Sequence, residues 1–248
     1  MNKLNIQSIF HSLDGEANAF DGAGQLCTFI RLKGCNLQCS FCDTSYSQSS
    51  TPENWMTIDE IVEQVVFPKV TITGGEPLLQ KEGVKELCEK LWTTNHDISI
   101  ETNGTIPMLH MDCRDSTFPI RVVMDYKLPS SGMEHKMNLE AFVWLEEKDM
   151  IKFVISDWND YNRALEVIKE HPEWEAKKVF SPAIKFDTLY DHTYTFICHF
   201  DPSKAEEVSV VDLTNPRQLA EKMIEDRVPA QFSLQIHKLL WPGSTEER

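Results

Sequence analysis

The sequence has neither a long apolar run nor an excess of positive charge. None of its apolar stretches approaches the ~20 residues that a helix needs to cross a bilayer. Its 39 acidic residues outnumber its 24 lysines and arginines, which gives a formal net charge of −15. Such a charge argues against direct binding to nucleic acid and against attraction to an anionic membrane. The first residues, from Met1 to Ile6, lack the apolar core of a signal peptide, so the sequence predicts a cytoplasmic protein.

The seven cysteines are an odd number, which favours a reducing compartment over a disulfide framework. Three of them, Cys35, Cys39 and Cys42, follow a CxxxCxxC spacing on one short segment. Thiolates bind soft metal centres, and iron–sulfur clusters are held by cysteine sulfur. Three ligands on a four-iron cluster would leave one iron free to bind a small molecule. A zinc site that lacks a ligand, or three reduced cysteines that lie close together, are the alternative interpretations.

Short β-branched segments alternate with amphipathic ones through most of the chain. The segments that predict strands are residues 27–32, 70–73, 98–102, 121–126, 150–155 and 179–182. The segments that predict helices are residues 57–67, which open with a capping box, 81–93, 159–171 and 216–226. This alternation predicts an α/β protein with a parallel sheet. Six strands are too few for a closed eight-stranded barrel, so we expect an open, partial (β/α)6-type barrel in a single domain, residues 1–248.

Three segments depart from the regular alternation. Residues 105–120 leave little room for a full helix, so we expect a reduced layer of helices there. Residues 186–213 contain two alternating stretches that predict an added β-hairpin, which we interpret as an insertion. Residues 232–241 alternate like a strand, which would place Gln235 and His237 on one face.

Polar residues collect where the predicted strands end, and ligand sites of α/β proteins lie at that edge. Arg31 directly precedes the cysteine segment, either as an anion-binding residue or as a solvated, salt-bridged one. Gly74-Gly75-Glu76-Pro77 follows the second predicted strand, and its glycines permit close approach of a ligand. The Glu76 carboxylate is suited to hold the ammonium of a bound amino acid. An ordinary strand-to-helix turn is the alternative.

The CxxxCxxC segment with Phe41, followed by the Gly-Gly-Glu-Pro turn, resembles the radical S-adenosylmethionine (SAM) superfamily. Further segments resemble one of its families, the 7-carboxy-7-deazaguanine synthases. They are residues 12–16, 29–37, 42–44, 73–80, 101–105, 125–132 and 234–238. Several of these segments are not general features of the superfamily, so the resemblance is specific, and it extends over most of the chain. The fold that it implies is the open radical SAM barrel.

The resemblance implies a radical reaction. In that family a reduced [4Fe–4S] cluster cleaves SAM, and the radical formed abstracts hydrogen from 6-carboxy-5,6,7,8-tetrahydropterin. The ring then contracts with loss of ammonia to 7-carboxy-7-deazaguanine, which serves queuosine and related 7-deazapurine synthesis. The implied cofactors are the cluster, SAM and Mg²⁺. The implied partners are the pterin, an electron donor of the flavodoxin or ferredoxin type, and a second copy in a homodimer.

The same resemblance assigns roles to residues by position. The cluster would be bound by Cys35, Cys39 and Cys42, and Mg²⁺ in part by Thr44. The SAM site would include Phe41, Cys42, Asp43, Gly75, Glu76, Glu101, Lys127, Ser130, Ser131 and Ser181. The pterin site would include Leu13, Asp14, Gly15, Glu16, Arg31, Thr73, Gln235 and His237, with residues 232–248 as a capping segment. No catalytic residue is assigned beyond the cluster-bound SAM.

The sequence also departs from the family pattern. Asp14 stands where the family has glutamine, and residues 186–213 are additional relative to compact members. An altered pterin, a partner-binding insertion or a dimer contact would each explain these departures. One rival function is an activase that makes a glycyl radical on a partner protein, and the segments at Glu16, Thr44 and His237 count against it. Another is a non-catalytic iron–sulfur or zinc module, against which the strand-end motifs count.

Overall fold

The computed structural model describes residues 2–16, 22–108, 120–183 and 216–240, with side chains up to residue 238. Within these ranges nine strands form one open sheet, in the order β3-β1-β2-β4-β5-β6-β7-β8-β9. The strands are β1 (Lys3–Asp14), β2 (Gln25–Leu32), β3 (Trp55–Thr57), β4 (Lys69–Gly74), β5 (Asp97–Thr102), β6 (Arg121–Tyr126), β7 (Met150–Ile155), β8 (Lys177–Pro182) and β9 (Gln231–Phe232). The helices are α1 (Ile58–Val62), α2 (Lys81–Thr93), α3 (Leu139–Val143), α4 (Trp158–Glu170), α5 (Pro216–Asp226) and α6 (Ile236–Leu240).

The centre of the sheet consists of six parallel strands, β2 and β4 to β8. These are the six strands that the sequence predicts, and the open α/β fold is therefore confirmed. Two full-length helices, α2 and α4, connect strands of this set, whereas α1 and α3 have only five residues each. The segment between β5 and β6, where a reduced helix layer is predicted, lies mostly outside the described residues.

The strand β1 was not predicted from the sequence. It runs antiparallel to β2 and to β3, so it adds an antiparallel edge to the parallel sheet. Its register against β2 shifts between Ile6 and Ser8. The buried residues are Leu4, Asn5 and Ile6 before this shift, and the polar Ser12 and Asp14 after it. No single apolar alternation runs along the strand, which is why its pattern is weak.

The C-terminal segment does not form the strand that its alternation predicts. The strand β9 ends at Phe232, and the helix α6 begins at Ile236. The backbone N–H of Ile236 donates to the carbonyl of Gly15 at 2.9 Å, just beyond the end of β1. Because this bond draws the chain across the end of β1, Gln235 precedes a helix and His237 lies within it. The prediction that both share a strand face is wrong.

Other boundaries follow the sequence more closely. The helix α1 begins with the predicted capping box, in which Thr57 and Glu60 each accept from the other's backbone N–H. It ends at Val62 rather than near residue 67, because the N–H groups of Gln64 and Val65 donate to carbonyls three residues back in a tightening turn. The helix α5 has the predicted bounds. The predicted hairpin in residues 186–213 lies outside the described residues.

One hydrophobic core joins the sheet to its helices. Leu87 and Leu91 of α2 and Phe142 of α3 are fully buried in one cluster with strand residues such as Ile72 and Ile100. Full burial of such a side chain contributes about 1.5–3 kcal/mol. Among the described helices, none has the length and apolar character needed to cross a bilayer. The carboxyl ends of the parallel strands are different, because several of the residues there are polar or charged.

Candidate active site

A cavity of about 420 Å³ opens at the carboxyl ends of the parallel strands. Its walls come from the end of β1, the cysteine segment, the ends of β4 to β7, and the start of α6. The predicted site residues that line it are Leu13, Asp14, Gly15, Glu16, Arg31, Cys35, Cys39, Phe41, Cys42, Asp43, Thr44, Thr73, Gly75, Glu101, Lys127, Gln235 and His237. The predicted site residues that do not line it are Glu76, Ser130, Ser131 and Ser181. The structure therefore brings the cysteines and all the predicted pterin residues to one space.

Backbone contacts fix the cysteine segment against the end of β4. The N–H of Gly75 donates to the carbonyl of Leu32 at 3.0 Å, and the N–H of Glu76 donates to that of Gly34 at 2.8 Å. The N–H of Gly34 in turn donates to the carbonyl of Ser47 at 2.8 Å. Gly34 has a φ of +93°, which glycine adopts without steric cost. The two glycines thus allow the segments to approach at backbone distance.

The three thiols of the cysteine segment lie around one part of the cavity and are partly exposed. Burial raises the pKa of Cys35 and Cys39, and the Lys127 ammonium opposes the rise at Cys39. In the described ranges no three His, Cys, Asp or Glu side chains converge where one ion could sit. Cysteines of an iron–sulfur cluster bind different irons, and three thiols around one cavity are compatible with such a cluster.

The Glu76 carboxylate is enclosed by protein donors and does not face the cavity. It accepts from the backbone N–H groups of Leu78 and Asn103 at 2.8 and 2.7 Å, and from the Thr102 hydroxyl at 2.8 Å. Burial raises its pKa, and these hydrogen bonds oppose the rise. The carboxylate joins the turn after β4 to the end of β5. In this conformation Glu76 does not reach the cavity, so it can contribute to SAM binding only by holding the turn after β4 in place.

Ser130 and Ser131 are connected to the cysteine segment from outside the cavity. Ser40 donates its hydroxyl to the carbonyl of Ser130 at 2.6 Å and its N–H to the carbonyl of Ser131 at 3.1 Å. Ser130 donates its own N–H and hydroxyl to the buried Asp160 of α4. The Ser181 hydroxyl is buried in β8. Asp160, which the sequence analysis missed, therefore holds the turn that supports the cysteine segment.

A row of four charged side chains lines another part of the cavity. The Lys152 Nζ lies 2.9 Å from Glu16 Oε2 and 3.4 Å from Asp125 Oδ1, and Asp125 Oδ2 lies 2.7 Å from Lys127 Nζ. Burial disfavours each charge, but the opposite charges dominate: the pKa of Lys152 is raised well above its usual value, and those of Asp125 and Glu16 are lowered. Neither Lys152 nor Asp125 was predicted as a site residue. The sequence feature that could have revealed Lys152 is its position as the one charged residue within the otherwise apolar strand β7.

Glu101 differs from its acidic neighbours. Its Oε2 accepts from the Thr73 hydroxyl at 2.8 Å. Burial raises the pKa of Glu101 to about 7, with Glu16 and Asp14 adding to the rise and Lys152 opposing it. Two carboxyl groups of one cavity are thus held in different states near neutral pH, with Glu16 ionised and Glu101 partly protonated. Such separation is typical of functional sites.

The start of α6 connects the predicted pterin residues with the cysteine segment. Gln235 Nε2 donates to Glu16 Oε1 at 2.9 Å, and Lys238 Nζ donates to Gln235 Oε1 at 2.7 Å. Lys238 also pairs with Asp43 at 2.8 Å. Burial alone would raise the pKa of Asp43, but Lys238 lowers it to about 2. Burial lowers the pKa of His237, so its imidazole is neutral near pH 7.

Arg31 presents its guanidinium at the cavity wall between two aromatic rings. Its Cζ lies 5.4 Å from the ring centroid of Phe10 and 5.9 Å from that of Tyr46. These distances permit cation–π contacts, which orient the planar group. An oriented guanidinium is suited to bidentate binding of a carboxylate.

Comparison with known proteins relates this cavity to a family. A family model of the radical SAM superfamily matches residues 29–115, which include the three cysteines and the turn after β4. The 7-carboxy-7-deazaguanine synthases of Methanospirillum hungatei and Chlorobaculum tepidum are 35% and 34% identical, each over 96% of this chain and over 85% and 94% of their own. That of Koribacter versatilis is 32% identical over 98% of this chain and 99% of its own. The chain belongs to the 7-carboxy-7-deazaguanine synthase family. The resemblance found from its motifs is thereby confirmed.

A solved structure agrees with the fold. QueE from Escherichia coli superimposes with a TM-score of 0.61 at 19% identity, over 94% of this chain and 93% of the other. As a member of the 7-carboxy-7-deazaguanine synthase family the chain is a radical SAM enzyme, whose cofactors are a [4Fe–4S] cluster, SAM and Mg²⁺. Thr44 lines the cavity with its hydroxyl 3.7 Å from the Cys42 thiol. An oxygen donor suited to Mg²⁺ thus lies beside the cysteines.

Proposed function

We propose that the chain converts 6-carboxy-5,6,7,8-tetrahydropterin to 7-carboxy-7-deazaguanine and ammonia in a SAM-dependent radical reaction. One observation carries the proposal: a single cavity contains the three cysteine thiols together with Glu16, Arg31 and His237. The identity of 32–35% to synthases of that name, over almost the whole chain, supports it.

The cavity offers complementary groups to both ends of the pterin. Arg31 would bind the substrate carboxylate through a bidentate pair. The ionised Glu16 would accept hydrogen bonds from the N–H groups of the pyrimidine edge, since a carboxylate only accepts. The neutral imidazole of His237 can donate from one nitrogen and accept at the other. Thr73 and Gln235 complete the site through their bonds to Glu101 and Glu16.

The cofactors would occupy the rest of the cavity. Cys35, Cys39 and Cys42 would hold the cluster, and Thr44 would provide one oxygen ligand of Mg²⁺. The remaining SAM contacts would come from Phe41, Asp43, Gly75, Glu101 and Lys127 along the cavity wall. When bound, the cluster and SAM supply the hydrogen-abstracting radical chemistry. The protein positions the substrate against them and encloses it.

Several finer features belong to the same proposal. We place the enzyme in the cytoplasm as one domain that forms a homodimer and receives electrons from a flavodoxin- or ferredoxin-type protein. The product would serve queuosine or another 7-deazapurine. The net charge of −15 supports a small-molecule substrate over direct contact with nucleic acid. The rival activase would require a large partner protein in place of the pterin, and Glu16, Arg31 and His237 in the cavity favour the pterin.

Anaerobic reconstitution tests the proposed function. The protein would be supplied with iron, sulfide, SAM, a reductant, Mg²⁺ and 6-carboxytetrahydropterin, and the product would be identified by mass spectrometry. We expect 7-carboxy-7-deazaguanine from the native protein and from Cys88→Ala, whose cysteine is buried in α2 away from the cavity. Cys39→Ala should form none. Cleavage of SAM without any deazaguanine would refute the substrate while retaining the radical SAM chemistry.

A further inference from the structure

Lys152 occupies an unusual place for a lysine. It is the third residue of β7, between the fully buried Ile151 and Phe153, and its own side chain is only 10% exposed. Its Nζ lies within 3.4 Å of carboxylate oxygens from two separate elements, Glu16 after β1 and Asp125 of β6. Lysine is almost never fully buried unless it is paired. This placement therefore needs an explanation in the site that it lines.

A buried ion pair is weak evidence that its residues are there to stabilise the fold. Desolvation of the two partners offsets their attraction, and apolar residues of similar volume often stabilise a protein as well or better. An ammonium inside an apolar strand is better explained by the state that it imposes on its neighbours. Asp125 also has Lys127 at 2.7 Å, whereas Lys152 is the cation that pairs directly with Glu16 among the described salt bridges.

We propose that Lys152 is a positioning residue of the pterin site, which holds Glu16 ionised and oriented so that Glu16 accepts hydrogen bonds from the N–H edge of the substrate. This inference rests on the proposed function and names a residue for it. Lys152 occupies Oε2 of Glu16, and the amide of Gln235 occupies Oε1. Each carboxylate oxygen retains a second lone pair that a ligand N–H can reach. A neutral Glu16 would carry a hydroxyl that donates a hydrogen bond. It would then face the N–H donors of the substrate with a donor of its own, which would weaken binding of the substrate.

The charges around Glu16 show why one ammonium is decisive. Lys152 reaches it from β7, and His237 and Gln235 face it from the segment around α6. The acidic groups Asp14 and Glu101 interact in the same cluster, and Asp125 faces Lys152 from β6. Without Lys152, burial and the neighbouring carboxylates would all favour protonation of Glu16. Gln235 and His237 also lower the pKa of Glu16, but Lys152 is the strongest of the lowering groups.

Carbon-13 NMR of the ligand-free protein tests the link between the two residues. Glutamate δ-carbons would be labelled, and Glu16→Gln would assign the resonance of Glu16. In Lys152→Met we expect the pKa of Glu16 to rise by roughly one to three units, the range typical for loss of an adjacent opposite charge. Lys152→Arg should retain a low value. An unchanged pKa of Glu16 in folded Lys152→Met would overturn the proposal.

Binding then tests the consequence for recognition. The probe is 7-carboxy-7-deazaguanine, titrated by calorimetry into the reconstituted protein with SAM at about pH 6 and about pH 8. Relative to the native protein at the same pH, Lys152→Met should lose affinity severalfold at the lower pH and less at the higher pH; the native protein is the reference at each pH because Glu101, in the same cavity, also titrates between them. Lys148→Met serves as the matched control, because Lys148 pairs with Glu146 outside the cavity.

The remaining outcomes are also decisive. If Lys152→Met does not fold, Glu16→Gln/Lys152→Met removes the unpaired charge, and the proposal requires it to bind no more weakly than Glu16→Gln alone. Weaker binding by the double variant than by Glu16→Gln alone would assign Lys152 a role independent of Glu16 and overturn the proposal. If the native protein binds neither this probe nor 6-carboxytetrahydropterin, the proposed function fails. The NMR result then shows separately whether Lys152 controls Glu16.

Discussion

Gly75→Ala should detach the cysteine segment from the end of β4. A Cβ at this position would lie 2.1 Å from the carbonyl oxygen of Gly34, 2.5 Å from its carbonyl carbon and 2.9 Å from the carbonyl oxygen of Ser47. All three neighbours are backbone atoms, so no side chain can rotate away. Real Cβ atoms essentially never approach other heavy atoms more closely than 3.0 Å, so the two segments must separate by about 1 Å or more.

The cost can be worked from the contacts that this separation breaks. Two backbone hydrogen bonds join the segments, from Gly75 to Leu32 and from Glu76 to Gly34. Each is worth about 1 kcal/mol. Overpacking of a close-fitted site adds about 1–3 kcal/mol. We therefore expect a loss of roughly 3–5 kcal/mol, a large part of the 5–15 kcal/mol that separates most folded proteins from unfolding.

Urea unfolding and the iron content after reconstitution measure this prediction. Gly75→Ala should unfold at clearly lower urea and should hold less iron per chain, because the cysteines move with Gly34. The control is Gly24→Ala, at a φ of +95° with no atom within 4 Å of the added Cβ. It should show only backbone strain of about 1–2 kcal/mol and normal iron binding. A Gly75→Ala protein that equals the native one in both assays would refute the reasoning.

Three further predictions use other contacts of the site. Cys39→Ala should reduce bound iron and its visible absorbance, whereas Cys88→Ala should not, as iron assay and spectra of the reconstituted proteins will show. Because the folded pKa of Glu101 is about 7 against an ordinary 4.5, the folded state binds more protons between these values, and stability falls as pH rises through that window. Urea unfolding at several pH values should show that Glu101→Gln removes this fall, which is at most on the order of 3 kcal/mol. Asp160→Ala should cost roughly 1–3 kcal/mol in the same assay, because it leaves the partly buried N–H groups of Ser130 and Ser156 without their acceptor.

The parallel part of the fold could be predicted because each strand is a short apolar run that ends at polar residues. The strand β4, for example, is buried along almost its whole length, as expected for a strand covered on both faces. The antiparallel edge could not be predicted in the same way. The register of β1 against β2 shifts between Ile6 and Ser8, and the buried residues of β1 mix the apolar Leu4 and Ile6 with the polar Asn5, Ser12 and Asp14. Its sequence therefore shows no continuous period.

The site was predictable where short motifs carry the chemistry. The cysteines, Arg31 and the Gly-Gly-Glu-Pro turn are each recognisable from neighbouring residues alone. Lys152 was not, because its role depends on pairing between strands: Asp125 and Lys152 are register partners across β6 and β7. Its other partner, Glu16, lies 136 residues away along the chain. Such contacts arise only from the tertiary arrangement, and no local pattern encodes them.

Several charged residues lie in the cavity where apolar residues would stabilise the fold better. This arrangement indicates that this end of the sheet serves binding at a cost in stability. Lys152, Asp125 and Glu16 form buried ion pairs, and replacement of such pairs by apolar residues of similar volume is often neutral or stabilising. Glu101 is held near its titration point by burial and by carboxylates that a stability-optimised interior would avoid. These violations of ordinary core composition meet at one cavity, beside three thiols. Local conflicts of this kind are expected at functional sites. We therefore propose that the charge row is the part of the fold on which substrate recognition acts.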